Sequence, residues 1–68
     1  MRKHLEQLKK AKAEAETTLE IRVKTYGERS ESWRETYKAK LYQYRTESLE
    51  LFIDNLEDAI DTLETYLD

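Results

Sequence analysis

Gly27 is the only glycine in this 68-residue chain, which also lacks proline and cysteine. On both sides of it, apolar residues recur every three or four positions, the spacing of one face of an α-helix. Because glycine and proline are the strongest interrupters of helices, Gly27 marks the one expected break. The sequence therefore predicts a single all-α domain over residues 1–68, an antiparallel hairpin of two long helices at about 3–26 and 33–67 joined by a turn at about 27–32.

The first predicted helix has one apolar face with a narrow middle. Its members advance by three or four residues: Leu5, Leu8, Ala11, Ala15, Leu19, Val23 and Tyr26. The two alanines allow a partner helix to approach closely. Lys24 and Gly27 are typical of a helix end, where a cation opposes the helix dipole and glycine adopts a left-handed cap. Ser32 and Glu35 have the spacing of a capping box for the second helix, with Ser30 as the alternative cap.

The second predicted helix has two sets of large apolar side chains. Aromatic core residues are expected at four positions: Trp33, Tyr37, Tyr44 and Phe52. A row with the alternating spacing of a short coiled coil follows: Leu49, Ile53, Leu56, Ile60, Leu63 and Leu67. We expect this row to form the oligomer or partner interface.

The predicted packing places Tyr26 near Trp33 and Ala15 near Tyr44. It also brings opposite charges together, since all twelve Lys and Arg lie in residues 1–45 and the remainder of the chain holds eight acids and no base. In this register the second helix extends beyond the first by roughly 16 Å. Because an exposed apolar row usually marks an interaction site, a second copy is expected to cover the overhang, giving a dimeric four-helix bundle or a larger helical oligomer.

An acidic stripe follows one face of the second helix. Its seven carboxylates are spaced three and four apart: Glu47, Glu50, Asp54, Glu57, Asp61, Glu64 and Asp68. One interpretation is a solvated face or a flank that pairs with the basic first helix. The alternative is a nucleic-acid mimic, in which carboxylates about every 5.4 Å imitate phosphates and inhibit a DNA- or RNA-binding host protein. Calcium binding is disfavoured because a rigid helix does not wrap oxygens around the ion.

A basic patch marks the first half of the second helix and consists of Arg34, Lys38, Tyr42 and Arg45. Cations interleaved with an aromatic ring give a second alternative, a small nucleic-acid-binding regulator that contacts phosphates. The chain's net charge of −3 weighs against this interpretation. Nucleic acid is therefore a less favoured partner than protein.

No residue pattern indicates catalysis or a cofactor. The single histidine, His4, has no cysteine or acid arranged around it in the sequence, and no Glu-x-x-His motif occurs. No metal site or catalytic residue is predicted, and the protein is expected to be non-enzymatic. Because no run of about 18 apolar residues is present, we expect a cytoplasmic protein without a membrane partner.

The segments ESWRET at residues 31–36 and LEDAIDTLE at residues 56–64 carry a family resemblance. The chain resembles short, largely uncharacterised helical-hairpin proteins of bacteriophages and their bacterial hosts. The resemblance implies a helical hairpin of phage or prophage type to which no activity is attached. It favours a small protein that binds a host or virion component in the bacterial cytoplasm. With the surfaces above, it favours a non-enzymatic protein that self-associates and binds another macromolecule, most readily a protein.

Overall fold

The protein is all-helical and contains no strand. The computed structural model describes residues 1–68 as three helices, α1 (Arg2–Glu28), α2 (Glu31–Arg34) and α3 (Tyr37–Leu67). The two long helices pack against each other as an antiparallel hairpin, with α2 forming a single turn at its tip. The result is a thin rod of 51 × 15 × 11 Å.

The connection between the long helices differs from the predicted turn. Helix α1 continues through Gly27 to Glu28, and no residue of the chain has a positive φ. The expected left-handed glycine cap is therefore wrong. The helix ends instead because Arg29 turns to an extended conformation, with φ −76° and ψ 154°.

Two separate caps replace the predicted capping box. The backbone N–H of Trp33 donates to Ser30 Oγ at 3.2 Å, so the alternative cap, Ser30, begins the short helix α2. Thr36 is extended at φ −81° and ψ 162°, and its hydroxyl accepts from the Ala39 N–H at 3.3 Å. The second long helix consequently begins at Tyr37 rather than at residue 33.

These changes shift the helix register by about ten residues. Lys12 pairs with Glu57, with Nζ and Oε1 3.1 Å apart, whereas the predicted register placed Glu47 opposite Lys12. Farther from the tip, Lys9 Nζ lies 3.7 Å from Glu64 Oε2. Because α1 and α3 have 27 and 31 residues, their lengths differ by only about 6 Å. The predicted 16 Å overhang does not exist.

The core is a thin seam between α1 and α3. Its five buried residues are Ala15, Ala39, Ile53, Leu56 and Ile60. The row that the sequence assigned to an oligomer or partner interface lies in this seam: within the chain, Leu49, Leu63 and Leu67 are half-buried and the other three residues are buried. Since α1 reaches the end of α3, it covers the row that the predicted register left open.

Candidate interaction surfaces

A second apolar face of α3 points away from the seam. Six large side chains on it are exposed to solvent, by the following fractions: Tyr37 78%, Leu41 38%, Tyr44 65%, Leu51 64%, Phe52 50% and Tyr66 72%. Between them on the same face lie four smaller exposed residues, Ser48, Asn55, Ala59 and Thr62. We call these ten residues the α3 stripe. Steps of three and four residues, with the adjacent Leu51 and Phe52 at the middle, keep them on one side of the helix.

The α3 stripe corrects the predicted aromatic core. Tyr37, Tyr44 and Phe52 are not core residues of the chain, and only Trp33 of the predicted four is half-buried. The sequence signal that reveals the stripe is a second apolar series, offset from the coiled-coil row. Sequence reasoning separated the two series but assigned the aromatic set to the core and the coiled-coil row to an interface. Both have helical spacing, and only the position of α1 shows which of them is covered.

An open hollow interrupts the α3 stripe near its C-terminal end. It has a volume of about 540 Å³ and is lined by Met1, Asp58, Ala59, Thr62, Leu63 and Tyr66. Two of the smaller residues of the stripe, Ala59 and Thr62, are part of its lining. A large side chain of a partner can therefore occupy this hollow.

Aromatic rings close the tip of the hairpin. The ring centroids of Tyr26 and Trp33 lie 5.9 Å apart, as do those of Trp33 and Tyr42, and both pairs meet edge to face. The predicted contact between Tyr26 and Trp33 is confirmed. The guanidinium of Arg22 lies 4.0 Å from the centroid of the Tyr42 ring, and its Nη2 donates to the Tyr42 carbonyl at 3.0 Å. Its Nε donates to Thr46 Oγ1 at 3.0 Å, which ties α1 to α3 next to the rings.

A basic cleft includes two of the same rings, Trp33 and Tyr42. It has a volume of about 410 Å³ and is lined by Arg29, Trp33, Lys38, Leu41, Tyr42 and Arg45. None of its three cations forms an ion pair, since the chain's two salt bridges involve other residues. The predicted basic patch is thus partly assembled: three of its members line the cleft and Arg34 does not. Sequence reasoning missed Arg29, which joins because α1 extends past Gly27 and places it 4.8 Å from the Trp33 ring centroid.

The acidic stripe runs along α3 and is partly paired within the chain. Glu57 and Glu64 bind Lys12 and Lys9, while the other five carboxylates are exposed without an ion pair. The hydrogen bond from Lys12 to Glu57 is the main reason that the pKa of Lys12 is raised above 10.5. This pairing favours the interpretation of the stripe as a flank for the basic first helix.

The molecule has neither a metal-binding cluster nor a helix that could span a membrane. His4 is exposed, and no group of three or more His, Cys, Asp or Glu residues is placed to hold a metal ion. None of the helices combines the length and apolar character that a membrane crossing requires. Comparison with models of protein families, with curated proteins and with solved structures finds no match to the chain.

Proposed function

We propose that this chain is a non-enzymatic helical hairpin that acts by associating with protein, both with itself and with another protein, as a cytoplasmic protein of phage or prophage type. The observation that supports this proposal is the α3 stripe. Large exposed apolar patches on soluble proteins are characteristic of interaction sites. Four of the six large residues of the stripe are Tyr or Phe, and aromatic residues are enriched at protein interfaces.

The composition and the length of the stripe favour a protein as its binding partner over a lipid or a small molecule. Tyrosine presents a large apolar ring with a polar tip, and it loses little conformational entropy when it is immobilised. The stripe extends from Tyr37 to Tyr66, which is about 44 Å of helix. An extended helical row of this kind matches the helix-packing and helix-in-groove modes of recognition.

Photo-crosslinking tests the proposal. We expect p-benzoylphenylalanine in place of Tyr44 to form discrete crosslinked species in cells that produce the protein, with a second copy or with another protein. The same amino acid in place of the exposed Thr17 on α1 serves as the matched control and should give none of these species. Equal crosslinking at the two positions, or none at either, would contradict a protein-binding stripe.

A second candidate function is nucleic-acid binding at the basic cleft. The observation that favours it is the grouping of three unpaired cations around Trp33 and Tyr42 with no acid in the lining. Cations supply phosphate contacts and aromatic rings supply stacking in proteins that bind single strands. Exposed Lys24, which is outside the cleft, provides the control position.

Fluorescence anisotropy with a labelled single-stranded oligonucleotide tests this second function. We expect Arg45→Ala to weaken binding and to reduce its salt dependence by about one released counterion. Lys24→Ala removes a charge of the same sign elsewhere and should change binding less. If the two variants bind equally, the cleft is not a nucleic-acid site.

A further inference from the structure

We propose that the partner on the α3 stripe is a second copy of this chain, packed antiparallel about a two-fold axis that passes between Leu51 and Phe52. This inference rests on the proposed function, since it takes the stripe to be a protein-binding surface. It goes further by naming the partner, the orientation and the register. In this dimer the two α3 helices form the centre and each α1 lies on the outside.

The surface area of the chain is the first argument. The chain exposes 5552 Å² at a mass of 8.2 kDa. A folded monomer of that mass exposes about 4,500 Å² on average. The excess is therefore about 1,000 Å², and a standard interface covers about 800 Å² on each partner. One dimer contact along α3 would bring the exposed area close to that of an ordinary folded protein.

The self-complementarity of the α3 stripe is the second argument. In an antiparallel helix pair with two-fold symmetry, if residue i of one copy contacts residue j of the other, then residue j of the first also contacts residue i of the second. The set of interface positions must therefore be unchanged when the helix is read in reverse. Reversal about the point between positions 51 and 52 superimposes all ten stripe residues on stripe positions. The resulting pairs are Tyr37 with Tyr66, Leu41 with Thr62, Tyr44 with Ala59, Ser48 with Asn55, and Leu51 with Phe52.

In two of these five pairs, a large side chain falls opposite a small one. Tyr44, which is 65% exposed, falls opposite Ala59 of the second copy, and Ala59 lines the open hollow of about 540 Å³. A large side chain therefore meets a hollow rather than another large side chain. Leu41 opposite Thr62 repeats the pattern, and alternation of large and small residues is what interdigitated helix packing requires.

The charges favour the antiparallel orientation. Residues 37–45 of α3 contain three bases and no acid, whereas residues 58–66 contain no base and three acids, of which Glu64 already pairs with Lys9. The antiparallel register places these two segments side by side, and a parallel dimer would place like segments together. Glu47 and Asp58 approach each other across the pair with the same charge, but both are exposed, so solvent and salt screen their repulsion.

Light scattering and single cysteines test the dimer. We expect the purified chain to have twice its monomer mass of 8.2 kDa. Tyr44→Asp should raise the dissociation constant by about 30-fold or more, the effect of losing an interface hot spot, while circular dichroism stays helical because the side chain is outside the seam. Ala59→Arg fills the hollow and should have a similar effect without altering Tyr44. Thr17→Asp on α1 is the control and should leave the mass unchanged.

Because the chain has no native cysteine, disulfides report the register directly. A mixture of Tyr44→Cys and Ala59→Cys chains should give the mixed disulfide in preference to either symmetric one. In the antiparallel register two copies of position 44 are about 22 Å apart, far beyond disulfide reach. Symmetric disulfides as the main products would indicate a parallel pair and overturn the proposal.

The failure of this inference is separable from the failure of the proposed function. A monomeric mass at every concentration would overturn the dimer. If photo-crosslinking at position 44 then captures a different protein, the stripe is still a protein-binding surface with a foreign partner. If it captures nothing, the protein-binding function fails as well.

Discussion

Replacing Gly27 with alanine distinguishes the structure from the turn that the sequence predicts. In the structure Gly27 is helical, and apart from its two chain neighbours and the backbone of its own helix no atom lies within 4 Å of the place where an alanine Cβ would be. Alanine is a better helix former than glycine and restricts the unfolded chain more. We therefore expect Gly27→Ala to stabilise the protein.

The size of the effect follows from the position of Gly27 in α1. In a helix interior the exchange is worth about 0.8 to 1 kcal/mol. Because Gly27 is the penultimate residue of the helix, where fraying reduces propensity effects, we expect about 0.5 kcal/mol. For a domain of this size that free energy raises the melting temperature by about 2 to 4 °C. If Gly27 instead formed a left-handed cap, alanine would cost about 1 to 2 kcal/mol.

Thermal and urea unfolding followed by circular dichroism at one protein concentration measure the change. The matched control is Ala13→Gly, which makes the reverse exchange at an exposed position within α1 and should destabilise by about 1 kcal/mol. A lower melting temperature for Gly27→Ala, with the control behaving as expected, would refute the helical assignment of Gly27.

Three further predictions concern the packing of α1 against α3. Ile60→Ala should lower the free energy of unfolding by about 2 to 4 kcal/mol because Ile60 is only 7% exposed. Ile21→Ala, at a 60% exposed site, should change it by less than about 0.5 kcal/mol. Equal shifts in the urea midpoint for the two variants would contradict the burial of Ile60 in the seam. Arg22→Lys should lower the free energy of unfolding by about 1 to 2 kcal/mol in the same assay, since lysine does not reproduce the guanidinium's two hydrogen bonds to α3. An unchanged urea midpoint would argue against those hydrogen bonds. The pKa of Lys12 is raised above 10.5 in the folded protein, so its pairing with Glu57 stabilises fully below pH 10.5 and is lost as pH rises through the folded-state pKa. The difference in urea midpoint between wild type and Lys12→Gln should therefore shrink above that pH, and a difference that grows there would contradict the pairing.

Helical spacing was sufficient to predict two long helices and their antiparallel packing. The contact between Tyr26 and Trp33 was also predictable, because any short turn after residue 26 brings these neighbours of the tip together. What the spacing did not predict is how many residues the tip uses. Helix α1 gained residues at its end, α2 took up a separate turn, and Thr36 started a new helix with its own cap.

This miscount at the tip explains the errors in the candidate site. A shift of about ten residues in register moves Ile60 from an open overhang into the seam and leaves Tyr37 and Tyr44 outside it. Periodicity identifies which residues share a face, yet α3 has two apolar faces and the sequence does not state which one α1 covers. The face of α3 that α1 covers depends on how many residues the tip contains. The ends of the helices at Arg29, Ser30 and Thr36 set that number.

Trp33 gives the protein a built-in optical probe. It is the only tryptophan, and its ring lies at the tip between Tyr26, Tyr42 and the guanidinium of Arg29. Its fluorescence therefore responds to the surroundings of the tip, while circular dichroism averages over both long helices. If the two signals change together on heating, the hairpin unfolds as one cooperative unit; if the fluorescence changes first, the hairpin opens from the tip while its helices persist.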